Sequence, residues 1–343
     1  MIALNDLTYE ELKKVLAAEE LPKYRAEQIF RWFSRGAENF DEMTDLAKPL
    51  RTMLSAKFTI NFAKIEKIFP SKVDETTKFL VKLKEGSYVE SVLMRYKHGN
   101  TVCVSTQVGC RMGCAFCAST MGGRVRNLTP GEILGQVSAI QKECGERISN
   151  IVLMGMGEPL DNYDNVLTFL NNVNNPLGLG IGYRHISLST CGVVPKIFEL
   201  AKEKMPITLS ISLHAADDKT RSQLMPINKK YNVQTLIDAC RKYIELTTRR
   251  ISFEYILIKD VNDSAAHAKS LVNLLKGMLA HVNLIPANNV SESGFEKSSA
   301  KTVKEFENIL IRCGLNATVR RELGSDINAS CGQLRRKANE EDS

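Results

Sequence analysis

The sequence predicts an α/β fold in which parallel strands alternate with helices, preceded by a helical module and a β-hairpin. Three observations predict it. Beyond residue 129, short runs rich in Ile, Val and Leu alternate with stretches of helical periodicity, the pattern of parallel strands joined by right-handed crossovers. Residues 8–55 read as helices. Between these regions, 77–83 and 88–94 flank Lys84-Glu85-Gly86-Ser87, a turn signal that marks a hairpin.

In order along the chain, Thr8-Tyr9-Glu10-Glu11 reads as a capped helix start, with Leu12, Val15 and Leu16 on one face. In 21–33, Tyr24, Ile29, Phe30 and Trp32-Phe33 interleave with Lys23, Arg25 and Arg31. That segment is either an RNA-facing helix or a core face backed by solvated charges. A strand at 102–106 leads into a cysteine-rich loop, and Thr129-Pro130-Gly131-Glu132 opens a helix to about Cys144. Further strands are predicted at 150–154, 185–189, 207–213, 251–258, 281–285 and 317–320, with helices at 233–246, 265–279 and 300–313 among them. The chain thus divides into a helical accessory module at 1–57, a hairpin linker at 58–95, a barrel region at 96–334 and a charged tail at 335–343.

With 343 residues, 43% hydrophobic and 25% charged, the composition is that of a globular protein able to bury a sizeable core. No run of eighteen apolar residues occurs, and Met1-Ile2-Ala3-Leu4-Asn5-Asp6 carries no basic stretch followed by an apolar one. A cytoplasmic protein with no membrane partner is expected. Nine cysteines clustered at only one place do not form a secreted disulfide framework, which also fits a reducing compartment. The net charge of +7 favours a polyanionic partner such as RNA.

The cluster is Cys110-Arg111-Met112-Gly113-Cys114-Ala115-Phe116-Cys117, spaced C-x3-C-x2-C. Three thiolates this close can hold one inorganic centre, and an iron–sulfur cluster held by three cysteines leaves one iron open to an outside ligand. A structural zinc site is the alternative, but it wants a fourth Cys or His, and the next such residues are Cys144 and His185. The loop closely resembles that of radical S-adenosylmethionine (radical SAM) enzymes, Phe116 included. In that superfamily a [4Fe–4S] cluster binds S-adenosylmethionine (SAM) at its open iron and cleaves it to a 5′-deoxyadenosyl radical.

Polar residues gather where strands should end. Met154-Gly155-Met156-Gly157-Glu158-Pro159 follows a strand directly and resembles the glycine-glycine-glutamate element that binds the amino end of SAM. Ser189, Ser212 with His214, and Asn288 fall at the ends of other strands, where barrels place ligand-binding groups. Cys331 lies in a loop of small residues near the C-terminus, and Cys103 lies on the strand feeding the cluster loop. Cys144, Cys191, Cys240 and Cys313 are expected to be small buried hydrophobes.

Taken together, Cys103-Val104-Ser105-Thr106-Gln107-Val108-Gly109-Cys110, the cluster loop, the Met154–Pro159 stretch, Ser212-Leu213-His214-Ala215, Leu224-Met225-Pro226-Ile227-Asn228 and Ala329-Ser330-Cys331-Gly332-Gln333-Leu334 resemble the RlmN/Cfr family of radical SAM methyltransferases. The likeness runs from about residue 8 to 336. It implies a partial (β/α)6 barrel, a [4Fe–4S] cluster on Cys110, Cys114 and Cys117, and SAM held by Gly157, Glu158, Ser189, Ser212, Leu213, His214 and Asn288. It also implies methylation at C2 of an adenosine in 23S rRNA near the peptidyl transferase centre and of one beside the tRNA anticodon. The chain would act as a monomer, with an electron donor such as flavodoxin or ferredoxin.

By the same resemblance two SAM molecules serve each turnover. Cys331 takes a methyl group from one; the deoxyadenosyl radical from the other abstracts a hydrogen from that methyl group, and the methylene radical adds to C2 as a protein–RNA thioether. Glu90 accepts the C2 proton. Cys103 then attacks the Cys331 sulfur, releasing the RNA and leaving a disulfide. The family's usual Asp-Ala-Ala-Cys reads Asn328-Ala329-Ser330-Cys331 here, which is expected to alter the loop's anchoring while keeping the thiol. A Cfr-like C8 methyltransferase is the alternative enzyme, although Glu158-Pro159 and the Cys103–Val108 stretch look more like the C2 branch. A non-catalytic, metal-containing RNA-binding protein is the alternative from another class.

Overall fold

The structure, a computed structural model, describes residues 1–288 and 294–334; the charged tail predicted at 335–343 lies outside the described residues. Seven strands run parallel and adjacent in chain order: Gly99–Cys103, Ile148–Leu153, Ile186–Thr190, Thr208–Ser212, Ile251–Leu257, Ala280–Pro286 and Asn316–Val319. Helices follow the first six, as Pro130–Cys144, Tyr163–Asn174, Val194–Lys202, Asp218–Leu224 with Val233–Thr247, Ala265–Leu275 and Ala300–Arg312. The two end strands of the sheet do not pair with each other, so the result is the expected partial (β/α)6 barrel with one strand added.

The predicted hairpin pairs as Thr77–Leu83 against Tyr88–Tyr96, with Leu80 opposite Glu90. Tyr88–Tyr96 runs antiparallel to Gly99–Cys103, so the hairpin continues the barrel's own sheet, and a further strand, Ala63–Pro70, forms its edge. That edge strand alternates Ile with Lys and Glu and carries a bulge between Ile65 and Lys67, as befits an edge open to solvent. Helix 265–279 stops at Leu275, where Lys276 and the left-handed Gly277 break it.

The N-terminal helices are Tyr9–Ala18, Tyr24–Ser34 and Lys48–Lys57. Thr8 and Glu11 form the expected reciprocal cap on the first. In the second, Ile29, Phe30 and Phe33 are buried, and Phe30 packs edge-on to Tyr9 at 5.3 Å, so these apolar residues are core. Tyr24 stands exposed under the Arg25 guanidinium, and the Trp32 indole donates to Asp45 at 2.6 Å. Leu4, Leu12 and Phe30 share one continuous core with the barrel residues Ile133, Val137 and Phe169. Among the described residues no helix is long and apolar enough to cross a membrane.

Candidate active site

The cluster loop is the connection of a short antiparallel pair, Gln107–Gly109 with Arg124–Asn127. It leaves the sheet beside the C-terminal end of the first parallel strand and rests on the helix Asp218–Leu224, where the Ala115 N–H donates to the Leu224 carbonyl at 2.9 Å. Cys110, Cys114 and Cys117 line one cleft. Burial pushes the Cys110 thiol up to about 12. Burial also raises Cys114, and Cys117 and Cys110 raise it further. Three neighbouring thiols whose ionisation burial and one another oppose become thiolates readily beside a cationic partner, which is what cluster iron supplies. Among the described residues no group of three His, Cys, Asp or Glu side chains is arranged to hold a metal ion.

The wall facing the cluster loop is built from strand ends. Gly157 has φ of 103°, and a Cβ there would lie 2.6 Å from the Gln107 Cβ, so the turn packs backbone against side chain and admits only glycine. The Glu158 carboxylate is committed inward, accepting from the Leu160 N–H at 3.0 Å and the Cys191 N–H at 2.7 Å. What this turn offers a ligand is therefore its backbone. Ser189 and Ser212 line the same cleft, with their hydroxyls 3.5 Å apart.

His214 is a non-glycine residue at φ 59°, and its Nδ1 accepts from the Ile256 N–H at 3.0 Å. Burial, reinforced by Arg221, pulls this imidazole down to about 3. The ring is therefore neutral with its proton on Nε2, a donor beside Phe116, whose ring it meets edge-on at 4.8 Å. Leu213 is wholly buried, its N–H donating to the Glu254 carbonyl and its carbonyl accepting from Arg221, so it shapes the backbone beside His214 without lining the cleft. Asn288 stands apart from this cleft, donating to the Cys331 carbonyl at 2.9 Å.

Cys331 is half-buried and lines two adjoining cavities, the cleft of the cluster cysteines and a second one that also holds Cys103. Cys103 ends the first parallel strand opposite Val92. Glu90, Val92 and Met94 share a strand face, and the latter two line the Cys103 cavity. Glu90 is buried and ion-paired with the buried Lys78 at 3.1 Å. Its backbone carbonyl accepts from the Ser105 hydroxyl, which in turn accepts from the Met156 N–H, so Glu90 sits beside the Gly155–Glu158 turn. Ser330 is an added anchor, donating to the Leu323 carbonyl at 2.8 Å, and Asn328 takes a left-handed conformation that asparagine tolerates.

Sequence reasoning missed several participants. Arg320 lines both cavities, and the charges of Cys331 and, more weakly, Glu254 and Cys103 hold its guanidinium above the ordinary range. It follows the strand Asn316–Val319, so the strand-end rule that selected Ser189 could have found it. Arg221 is almost wholly buried and donates to the carbonyls of Cys191, Ser212 and Leu213. Asn228 accepts from Arg221 at 3.0 Å, which gives the Leu224–Asn228 motif its structural purpose. Among the four cysteines expected to be buried, Cys240 and Cys191 are, but Cys144 is partly exposed and Cys313, at the C-terminal cap of a surface helix, is exposed. Cys191 also lines the cleft.

Comparison with known proteins gives the family. Residues 104–271 match the Radical SAM superfamily, and residues 2–60 match the Ribosomal RNA large subunit methyltransferase N-terminal domain. Proteins named "Probable dual-specificity RNA methyltransferase RlmN" are 55% identical in Clostridium botulinum (strain Eklund 17B / Type B), over 96% of this chain and 95% of theirs, and 54% identical in Clostridium tetani, over 98% and 97%. A crystal structure of a radical SAM methyltransferase from Sphaerobacter thermophilus, 45% identical, superposes with a TM-score of 0.94 and covers 98% of this chain and 100% of that one. The chain is a radical SAM enzyme that methylates RNA with a [4Fe–4S] cluster and SAM, and it belongs to the RlmN family.

Proposed function

We propose that this chain makes 2-methyladenosine in 23S rRNA near the peptidyl transferase centre and in tRNA beside the anticodon, carrying the new carbon through Cys331. The observation that carries the reading is the place of Cys331 on the wall between two cavities, one holding Cys110, Cys114 and Cys117 and the other Cys103. The relatives' description as dual-specificity RNA methyltransferases supports two RNA substrates.

C2 of adenine is an electron-poor amidine carbon, so the base cannot displace a methyl group from SAM directly. When bound, the cluster and SAM supply a carbon radical able to take a hydrogen atom from a methyl thioether. Gly157, Glu158, Ser189, Ser212 and His214 line the cleft and would hold SAM for this step, while Leu213 sets the backbone next to His214 and Asn288 acts through the Cys331 loop. Cys331 presents the methyl group, taken from a first SAM, to the cluster side and the resulting methylene to the RNA side.

Once the methylene carbon has bonded to C2, Glu90 takes the C2 proton. In the same step the adduct radical gives up one electron, the equal of the one spent to make it, to the oxidised form of the one-electron carrier, which leaves a closed-shell thioether. Cys103 then attacks the Cys331 sulfur as a thiolate: the S–S bond forms, the C–S bond breaks, and the methyl carbon takes its last hydrogen from solvent. A donor such as flavodoxin or ferredoxin supplies the single electron spent on each radical, and a dithiol reductant returns the Cys103–Cys331 disulfide to two thiols.

Mass spectrometry of nucleosides from 23S rRNA and tRNA, treated with the reconstituted enzyme, tests the reading. 2-Methyladenosine in both RNAs is expected. 8-Methyladenosine in its place would move the chain to C8 chemistry, and unmodified tRNA would confine it to the ribosome.

A further inference from the structure

We propose that Asp161 is a positioning residue that latches the neck of the cluster loop, holding Cys110, Cys114 and Cys117 ready for the cluster and tying them to the Gly157-Glu158 turn. The proposal rests on the assignment of those three cysteines as cluster ligands.

One carboxylate gathers donors from every part of the neck. Gln107, before the loop, donates through Nε2 to Asp161 at 3.0 Å. Arg111, between the first two chemically important positions of the loop, makes a forked contact with both carboxylate oxygens, its Nε at 3.0 Å. Arg124, where the chain leaves the loop, donates at 2.7 Å. The Asp161 side chain is only 8% exposed, and its own N–H donates to the Glu158 carbonyl at 3.0 Å. Gln107 completes the connection by accepting the Glu158 N–H at 2.9 Å. The latch is thus fastened to the very turn that faces the cleft.

The neck itself is as narrow as backbone allows. A Cβ on Gly109, at φ 74°, would lie 2.0 Å from the Gly123 carbonyl oxygen, so no side chain can wedge the two strands apart there. Beyond the neck, residues 110–123 contain Gly113, Gly122 and Gly123 in left-handed conformations and little regular structure. Such a loop has considerable freedom to lose when it organises three thiols around one cluster. A carboxylate that fixes both ends and the residue after Cys110 removes part of that cost beforehand.

Stability alone does not account for the arrangement. Arg111 is 58% exposed, and ion pairs with so exposed a partner add little to folding. Burial pushes the Asp161 carboxyl up, but hydrogen bonds from Arg111 and Gln107 and the two guanidinium charges outweigh it and keep it below the ordinary range.

The test compares anaerobically reconstituted full-length chains: wild type, Asp161→Ala and Asp161→Glu. Groups that orient metal ligands from outside typically cost about 10- to 100-fold in metal affinity when removed. Asp161→Ala is therefore expected to release iron to a chelator about tenfold faster or more, and to lose the change that SAM produces in the electron paramagnetic resonance signal of the reduced cluster. Asp161→Glu should restore most of both, and the melting temperature of the cluster-free chains should be nearly the same. If Asp161→Ala does not fold, Arg111→Gln breaks one arm of the latch at an exposed position and should show the same change more weakly. Wild-type iron release with an intact SAM-dependent signal in the folded variant would overturn the latch alone. A wild-type chain that takes up no cluster would overturn the ligand assignment and the latch with it.

Discussion

The Ala118 N–H donates to the Gly332 carbonyl at 2.7 Å, fastening the loop that carries Cys331 to the loop that carries Cys110, Cys114 and Cys117. The Ser119 hydroxyl adds a second tie, donating to the Leu334 carbonyl at 2.8 Å. On the other side, Asp326 and Asp74 secure the same C-terminal loop to the turn at 71–76. Cys331 is thereby held between the cluster cleft and the Cys103 cavity rather than left on a free tail.

This placement makes the two thiols separable by mutation. On the proposed mechanism, Cys103→Ala leaves Cys331 able to receive a methyl group and to bond to RNA but removes the attacking sulfur. The variant should accumulate a covalent protein–RNA adduct, visible as a retarded band under denaturing conditions, whereas Cys331→Ala should form none. Full S-methylation of Cys331 in Cys103→Ala without any adduct would assign Cys103 no part in release.

Cys103 should also be sluggish toward alkylation. Burial pushes its thiol up to about 12, with Cys331 adding to the rise and Arg320 opposing it. Below that value the thiolate fraction, and so the reaction rate, grows about tenfold per pH unit. Iodoacetamide at pH 7 should label exposed Cys313 while sparing Cys103, and labelling of Cys103 should climb steadily from pH 7 to 9. Equal labelling of the two at pH 7 would show that Cys103 is open to solvent and ionised.

What could be read in advance was what is local in sequence. The spacing of Cys110, Cys114 and Cys117 lies within eight residues, and strands such as Ile251–Leu257, buried along almost their whole length, announce themselves as apolar runs. The edge strand Ala63–Pro70 was not assigned because an edge open to water alternates Ile with Lys and Glu, which a surface helix also does. Asp161 and Arg221 carry no local signal of their importance, and Arg320 carries only its place at a strand end. Their partners, Arg111 and Arg124 for the first, Cys331 for the second, Cys191 and Leu213 for the third, are brought to them only by the fold.

Gly157→Ala should weaken SAM binding before it affects anything else. The substitution places a side chain at φ 103° and 2.6 Å from the Gln107 Cβ, a strain of order 1–3 kcal/mol, so the turn must shift. The turn's backbone is the part that faces the cleft, and its displacement should raise the dissociation constant for SAM about tenfold or more at unchanged cluster content. Calorimetric titration of the reconstituted variant checks this. Wild-type affinity would mean that the turn does not touch SAM.

Arg221→Met tests the support behind the strand ends. The guanidinium donates to the carbonyls of Leu213 at 3.1 Å, Ser212 at 3.2 Å and Cys191 at 2.8 Å, and to the Asn228 side chain at 3.0 Å, all away from water. Each buried acceptor left without a donor costs about 1–3 kcal/mol, so the variant should lose about 3–5 kcal/mol of stability even though methionine fills much of the volume. Arg221→Lys should not rescue it, because an ammonium cannot span carbonyls that a planar fork reaches together. Asn228→Ala removes one acceptor and leaves the three strand-end contacts, so its loss should be smaller. Urea denaturation of the cluster-free chains ranks the three; an Arg221→Met loss below that of Asn228→Ala would mean that water, not the arginine, satisfies those carbonyls, and that Ser212 and His214 are positioned without it.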